Sequence, residues 1–213
     1  NVCFEGLSPK NQTSFTNIRL SGKNYGVKGV PEISTLYAPC VSFKDINTEE
    51  ANSWFNDILN ELNTGTYTTI VFDLRYNDGG NYNQMFYRNV FETNKNIFEK
   101  HNIAVITTGR TCSASLNFID DLLSIFPHVK LFGEESGQAV SGNTAVRPQV
   151  LKKIECSFNF PMNYLSGGFP NLLERNTDPA RGAIPDVEVL PDFRSSLNGE
   201  DAIYKAIYEY YNK

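Results

Sequence analysis

Long apolar runs are missing from this chain, and so is any excess of positive charge. No hydrophobic stretch approaches the ~20 residues that a bilayer-spanning helix needs. The first residues also lack the charged-then-apolar layout of a secretory signal. Lysine and arginine number 19 against 24 aspartates and glutamates, a net charge of −5. With no basic stripe, that balance argues against nucleic acid or an anionic membrane surface as a partner. The 4 cysteines, Cys3, Cys40, Cys112 and Cys156, are widely spaced with no C-x-x-C pair. A structural zinc site and a disulfide-dense scaffold are therefore poor descriptions, although one disulfide stays open. There is no H-E-x-x-H, no P-loop and no G-x-G-x-x-G, so metalloprotease and nucleotide chemistry have no support and neither metal nor cofactor is expected. Repeats and low-complexity tracts are likewise missing. The triplet Asn11-Gln12-Thr13 is a glycosylation sequon too common to carry weight.

What the chain does have is a core. Its 213 residues are 40% hydrophobic and 13% aromatic, enough for one sizeable domain. Residues up to about Pro31 mix Gly, Asn and polar side chains and read as irregular or edge structure. Leu36–Phe43 reads as a strand, and Asn47-Thr48-Glu49-Glu50 opens a helix with Asn47 as cap. Ala51, Trp54, Phe55, Ile58, Leu59 and Leu62 give that helix a wide apolar face, and Gly65 stops it. Thr68–Leu74 is a β-branched run buried on both faces. A helix starts near Tyr82, and strands follow at Ile103–Thr108 and Val129–Phe132, with a helix between them. Val146–Phe160 reads as extended, Leu165–Pro185 as loop, Val187–Leu190 as a short strand and Asn198–Tyr211 as a closing helix. Strands alternating with helices imply an α/β domain with a largely parallel sheet. We divide the chain into an irregular N-terminal segment, 1–35, and a core, 36–213. Asn1 in place of an initiator Met points to a processed or excised piece, with an upstream domain of the same protein as one partner.

The junction Gly109–Ser115 draws the chemistry. An apolar strand ends there and an amphipathic helix begins, with Leu116, Ile119, Leu122, Leu123 and Phe126 on one face. A helix start exposes unpaired N–H groups and the positive end of the helix dipole. A serine hydroxyl there can attack a carbonyl while those amides hold the oxyanion. Thr111 or Ser113 can equally be a plain helix cap. Two more loops, Arg75–Asn81 and Gly133–Gly142, also follow strands and would share the same sheet edge. In the first, Asp78-Gly79-Gly80 permits positive φ and close backbone approach.

Together these loops resemble the C-terminal-processing, or tail-specific, serine peptidases, whose relatives include the tricorn core peptidase and a retinoid-binding protein. Phe72-Asp73-Leu74-Arg75-Tyr76-Asn77-Asp78-Gly79-Gly80 is similar to their "DLRxNxGG" signature. Thr111-Cys112-Ser113-Ala114-Ser115 resembles the nucleophile segment, Gly133-Glu134-Glu135-Ser136-Gly137 the "GExxxG" loop, and Gly182–Val189 the closing "G-x-x-PDxxV". The motifs occur in family order from about Leu36 to the C-terminus. The resemblance implies a ClpP/crotonase-like spiral of β-β-α units and a nucleophile at Ser113, with Ser115 as the lesser candidate. It implies an oxyanion hole from Ala114 and Gly79 or Gly80, with Asp73 and Arg75 as a structural pair. The implied substrate is an extended polypeptide, and the implied location is outside the cell or in its envelope.

The general base is the departure. Where many members carry a lysine, this chain has Gln138, which cannot take a proton at neutral pH. Lys152 and Lys153 lie beyond the loop and read as surface residues. His101 and His128 precede strands, which puts them roughly 15 Å or more from the Ser113 edge. Cys112 is a small thiol beside the serine and also lacks a base. Glu174 and Asp178 are the candidate orienting carboxylates. The sequence reads as a serine peptidase core whose base comes from outside this chain; the alternative is an inactive relative that binds a peptide or an apolar ligand.

Overall fold

The computed structural model describes residues 25–43, 48–151, 154, 156–165, 168–190 and 201–212. Strand β1 (Lys28–Val30) pairs antiparallel with β2 (Thr35–Pro39), so the segment before the core supplies an edge strand. Helix α1 (Thr48–Asn63) follows; the cap expected at Asn47 lies outside the described residues. It ends where Gly65 turns to φ +72° and its N–H reaches Leu62 O. Next come β3 (Thr69–Asp73), α2 (Gln84–Thr93), the single turn α3 (Lys95–Phe98), β4 (Asn102–Thr107), α4 (Ala114–Ile125) and β5 (Lys130–Gly133). A long hairpin, β6 (Gly142–Leu151) with β7 (Cys156–Leu165), stands as its own two-stranded sheet. The chain finishes with α5 (Pro170–Arg175), β8 (Val187–Glu188) and α6 (Ala202–Tyr211).

The main sheet has the order β1-β2-β3-β4-β5-β8, with every pairing from β2 onward parallel. Its residues alternate between two cores, as the period of two along a strand requires. Leu36, Ala38, Ile70, Phe72, Ile103, Val105 and Leu131 face the helical layer with α1, α2 and α4. Tyr37, Val71, Ala104, Ile106 and Phe132 face the other side, where α6 covers them with Ile203, Tyr204 and Ile207. Phe118 of α4 is fully buried at the centre of the first core, its ring within 5.3–5.6 Å of those of Phe72, Phe91 and Phe43. The pairs with Phe72 and Phe91 are edge-to-face and add to plain area burial, and the one with Phe43 is tilted; together they fix how α4 lies on the sheet.

Two segments depart from the sequence reading. The stretch 165–185 is not all loop, since α5 forms inside it. Pro170 occupies its first turn, and the Asp120 carboxylate on α4 accepts the N–H groups of Asn171 (2.9 Å) and Leu172 (3.0 Å). The cap thus comes from another helix, which local sequence cannot reveal. The extended region is also longer than Val146–Phe160, running as the hairpin from Gly142 to Leu165.

Candidate active site

Because β3, β4 and β5 run parallel, the loops after Asp73, Thr107 and Gly133 emerge on one edge. Hydrogen bonds lash them together. Thr111 Oγ1 donates to Leu74 O at 2.8 Å and accepts the Thr108 N–H at 3.0 Å. The Cys112 N–H and the Ser115 hydroxyl both donate to Asn77 O, at 3.2 and 2.9 Å. From the third loop, the Gly137 N–H donates to Thr111 O at 3.0 Å.

Held this way, Ser113 sits at φ +58°, ψ −119°, immediately before α4, with its side chain exposed. Such a conformation costs a non-glycine residue about 1–3 kcal/mol and persists only where surroundings impose it. Neither Ser113 nor Thr111 caps the helix with its side chain: Ser113 makes no capping bond and Thr111 is spent on the β3 loop. The capping reading is therefore corrected.

The paired-glycine bend meets this turn. Gly79 has φ +100°, and a Cβ built on it would lie 2.5 Å from Ser113 Cβ. Its own N–H donates to Asn77 Oδ1 at 3.0 Å, so of the two glycine amides it is Gly80 that has no acceptor among the described residues. Ala114 is the first helical residue, and its N–H is one of the orphan donors of a helix start. The Ser113 N–H is taken by Gln138 Oε1 at 2.7 Å. Gly80, Ser113 and Ala114 line one cleft of about 650 Å³.

Neither a family model nor a curated protein matches this sequence. Solved structures do match. A chain from Bacteroides fragilis designated an S41 protease matches over 88% of this chain with a TM-score of 0.52 and 17% identity. Tricorn protease matches over 86%, with a TM-score of 0.53 and 17% identity. The photosystem II D1 C-terminal processing protease matches over 79%, with a TM-score of 0.50 and 17% identity. The fold is that of the C-terminal-processing peptidases. This chain spans 57%, 18% and 47% of the lengths of those three proteins, respectively.

Within this C-terminal-processing peptidase fold, Asp73 and Arg75 form the ion pair that the resemblance implied, Nε to Oδ2 at 2.8 Å with both side chains buried. Arg75 also holds Asp201 at 2.7 Å, and Asp201 in turn caps α6 through the Ile203 and Tyr204 N–H groups. The two histidines lie at strand beginnings: His101 Nδ1 is 2.9 Å from Ile97 O and His128 Nε2 is 3.2 Å from His101 O. Cys112 Sγ donates to Asp78 O at 3.2 Å, while Cys40 is buried. Burial pushes the Cys40 thiol well above its ordinary pKa. Glu174 and Asp178 are not at the cleft. Glu174 lines a separate one with Lys130, Arg175 and Asp186, and Asp178 closes a turn by accepting the Ala180 N–H at 2.9 Å. Lys152 and Lys153 lie outside the described residues.

Sequence reasoning missed Asn77, whose side chain donates to Cys40 O at 3.0 Å while taking the Gly79 N–H. It is the residue that shapes the bend, and an asparagine two positions before a Gly-Gly is a detectable turn signal. The loop after β5 also has a tie of its own. Glu135 accepts from Arg181 and from the Gly182 N–H (2.7 Å), and those bonds hold its carboxyl below the ordinary 4.5. A depressed carboxyl contributes stability that is present above its unfolded pKa and lost as pH falls through the lower folded one. Glu135→Gln is therefore expected to flatten slightly the acid limb of a Tm-against-pH curve and to leave the neutral limb parallel to the parent's.

Proposed function

We propose that this chain is the core of a serine-type peptidase, built as a crotonase-like spiral, that hydrolyses peptide bonds in extended polypeptides. The carrying observation is the exposed Ser113, held at φ +58° beside the Ala114 and Gly80 amides in one cleft. Ser113 Oγ attacks the scissile carbonyl carbon as a base takes its proton. The carbonyl electrons move onto oxygen, where the N–H groups of Ala114 and Gly80 receive the negative charge. Collapse of the tetrahedral species expels the amine, which takes the proton back, and water then frees the acyl group by the same steps in reverse order. The base is supplied from outside this chain. Both imidazoles here are engaged at strand beginnings, and Gln138 offers only a carboxamide.

Gln138 also favours a second reading. A neutral amide clamps the Ser113 N–H, so the same scaffold serves as a peptide- or apolar-ligand-binding module without turnover. A fluorophosphonate probe separates the two. Mass addition at Ser113 in the intact protein, absent from Ser113→Ala, is the expected result. Saturable ligand binding that survives Ser113→Ala, with no labelling of the parent, would favour the binding module.

A further inference from the structure

Every described residue that lines the cleft beside Ser113 is uncharged. Asn117, in the first turn of α4, lines it together with Ser113, the residue immediately before that helix. One turn further along α4 from Asn117 is Asp121, whose side chain is 2% exposed. Asp121 reaches across to the opposite wall. Its Oδ2 accepts the Tyr82 hydroxyl at 2.7 Å, and its Oδ1 accepts Gln84 Nε2 at 3.0 Å and Arg88 NH1 at 3.1 Å. Tyr82 and Gln84 are cleft residues.

These bonds set what the cleft can recognise. Burial, reinforced by Asp121, pushes the Tyr82 hydroxyl far above its ordinary pKa, so it stays a neutral donor committed to Asp121. Its ring stacks on Tyr87 at 4.6 Å and 7°, making a rigid aromatic wall. Gln84 gives its amide nitrogen to Asp121 and so keeps its carbonyl end for the cleft. Asn117 is half-buried, and no described residue hydrogen-bonds its carboxamide. Among the described residues, no charged side chain lines the cleft. A charged group entering it meets no counter-ion among the described residues, whereas a carboxamide or a ring meets a partner.

Resting on the peptidase reading, we propose that this cleft seats the substrate side chain next to the scissile bond, and selects an uncharged carboxamide or aromatic group. Asn117 and the Gln84 carbonyl hydrogen-bond a carboxamide, the Tyr82–Tyr87 wall receives a ring, and Asp121 is a positioning residue that holds the wall. A glutamine side chain offers both a donor for Gln84 Oε1 and an acceptor for the Asn117 amide. Lysine and glutamate bring a charge that no described cleft residue balances.

The test measures equilibrium binding of N-acetylated, C-terminally amidated peptides of three alanines followed by Gln, Tyr, Lys or Glu to the 213-residue protein. The Gln and Tyr peptides are expected to bind at least about tenfold more tightly than the Lys and Glu peptides. Asn117→Ala is expected to weaken the Gln peptide about tenfold while leaving the Tyr peptide within about twofold, since one hydrogen bond to a carboxamide is lost and the wall is not. Asp121→Asn keeps the shape but lowers the wall's order, and is expected to weaken both. Equal affinity for all four peptides, no binding by any, or an Asn117→Ala effect shared by Gln and Tyr alike would overturn the proposal. Fluorophosphonate labelling is scored separately, on the intact protein that supplies the base. Labelling with flat peptide preference sinks only the specificity, whereas selective binding without labelling leaves the cleft and removes the peptidase.

Discussion

Arg75→Ala is expected to lower stability by about 3–5 kcal/mol, the range for removing one partner of a buried ion pair. For a domain of this size that corresponds to a Tm drop of roughly 6–20 °C. The cause is geometric. Arg75 is 2% exposed and bridges two carboxylates, Asp73 at 0% and Asp201 at 6%. Tyr37 OH donates to Asp73 Oδ2 at 2.7 Å but carries no charge. Without the guanidinium, two buried negative groups face one another with hydroxyl and amide donors only. The pH dependence gives the signature. Burial already raises the Asp73 carboxyl with Arg75 beside it, and losing the guanidinium raises it further, so Asp73 is harmless when protonated and destabilises as pH rises above its unfolded value. The difference between parent and Arg75→Ala should therefore shrink toward zero below about pH 4 and be full at neutrality. Arg75→Lys restores one charge but cannot place Nε on Asp73 and NH1 on Asp201 together, and is expected to fall between the two. A pH-independent loss in Arg75→Ala would mean that packing, not charge, is what Arg75 supplies. The loop that this arginine starts carries Asn77, Gly79 and Gly80, so the ion pair anchors one wall of the site to α6.

The sheet and its helices were legible because each left a local period. Ile70, Val71 and Phe72 are a continuous apolar run because both faces are covered, one by α1, α2 and α4 and the other by α6. The strand-to-helix junction at Ser113 was legible for the same reason, since the period changes there. Helix α5 was not legible: its cap is Asp120, remote in sequence, and its Pro-Asn start reads as loop. Glu174 was a reasonable carboxylate by motif order, yet the turn of α5 places it on a different cleft with Lys130. The glutamine at position 138 is plain in the sequence, but what it does there depends on where a loop folds back, and the 2.7 Å bond from Ser113 N reveals it. The step of four from Asn117 to Asp121 was present in the numbering. Its meaning needed the opposite wall, Tyr82 and Gln84, which arrives from another loop.

Gly79→Ala is expected to slow fluorophosphonate labelling of Ser113 by about 100-fold, the cost associated with displacing a reacting group by ~1 Å. Two effects coincide at this residue. At φ +100° an alanine is strained wherever it sits, and its Cβ would lie 2.5 Å from Ser113 Cβ and 3.0 Å from Ser113 Oγ. The bend cannot retreat cheaply. Gly79 N–H is held by Asn77 Oδ1, Gly79 O accepts the Phe43 N–H at 2.9 Å, and the Asn81 N–H donates to Phe43 O at 3.0 Å. Strain is therefore relieved by moving Ser113, the exposed member of the pair, and with it the line from Oγ to the Gly80 and Ala114 amides. Gly65→Ala separates the two effects, because Gly65 has φ +72° but nothing within 4 Å of the added Cβ. Both variants should lose about 1–3 kcal/mol of stability from backbone strain, and only Gly79→Ala should lose labelling. If Gly79→Ala labels as fast as its parent while Gly65→Ala does too, the bend plays no part in holding the serine, and the oxyanion pocket must be sought elsewhere on the sheet edge.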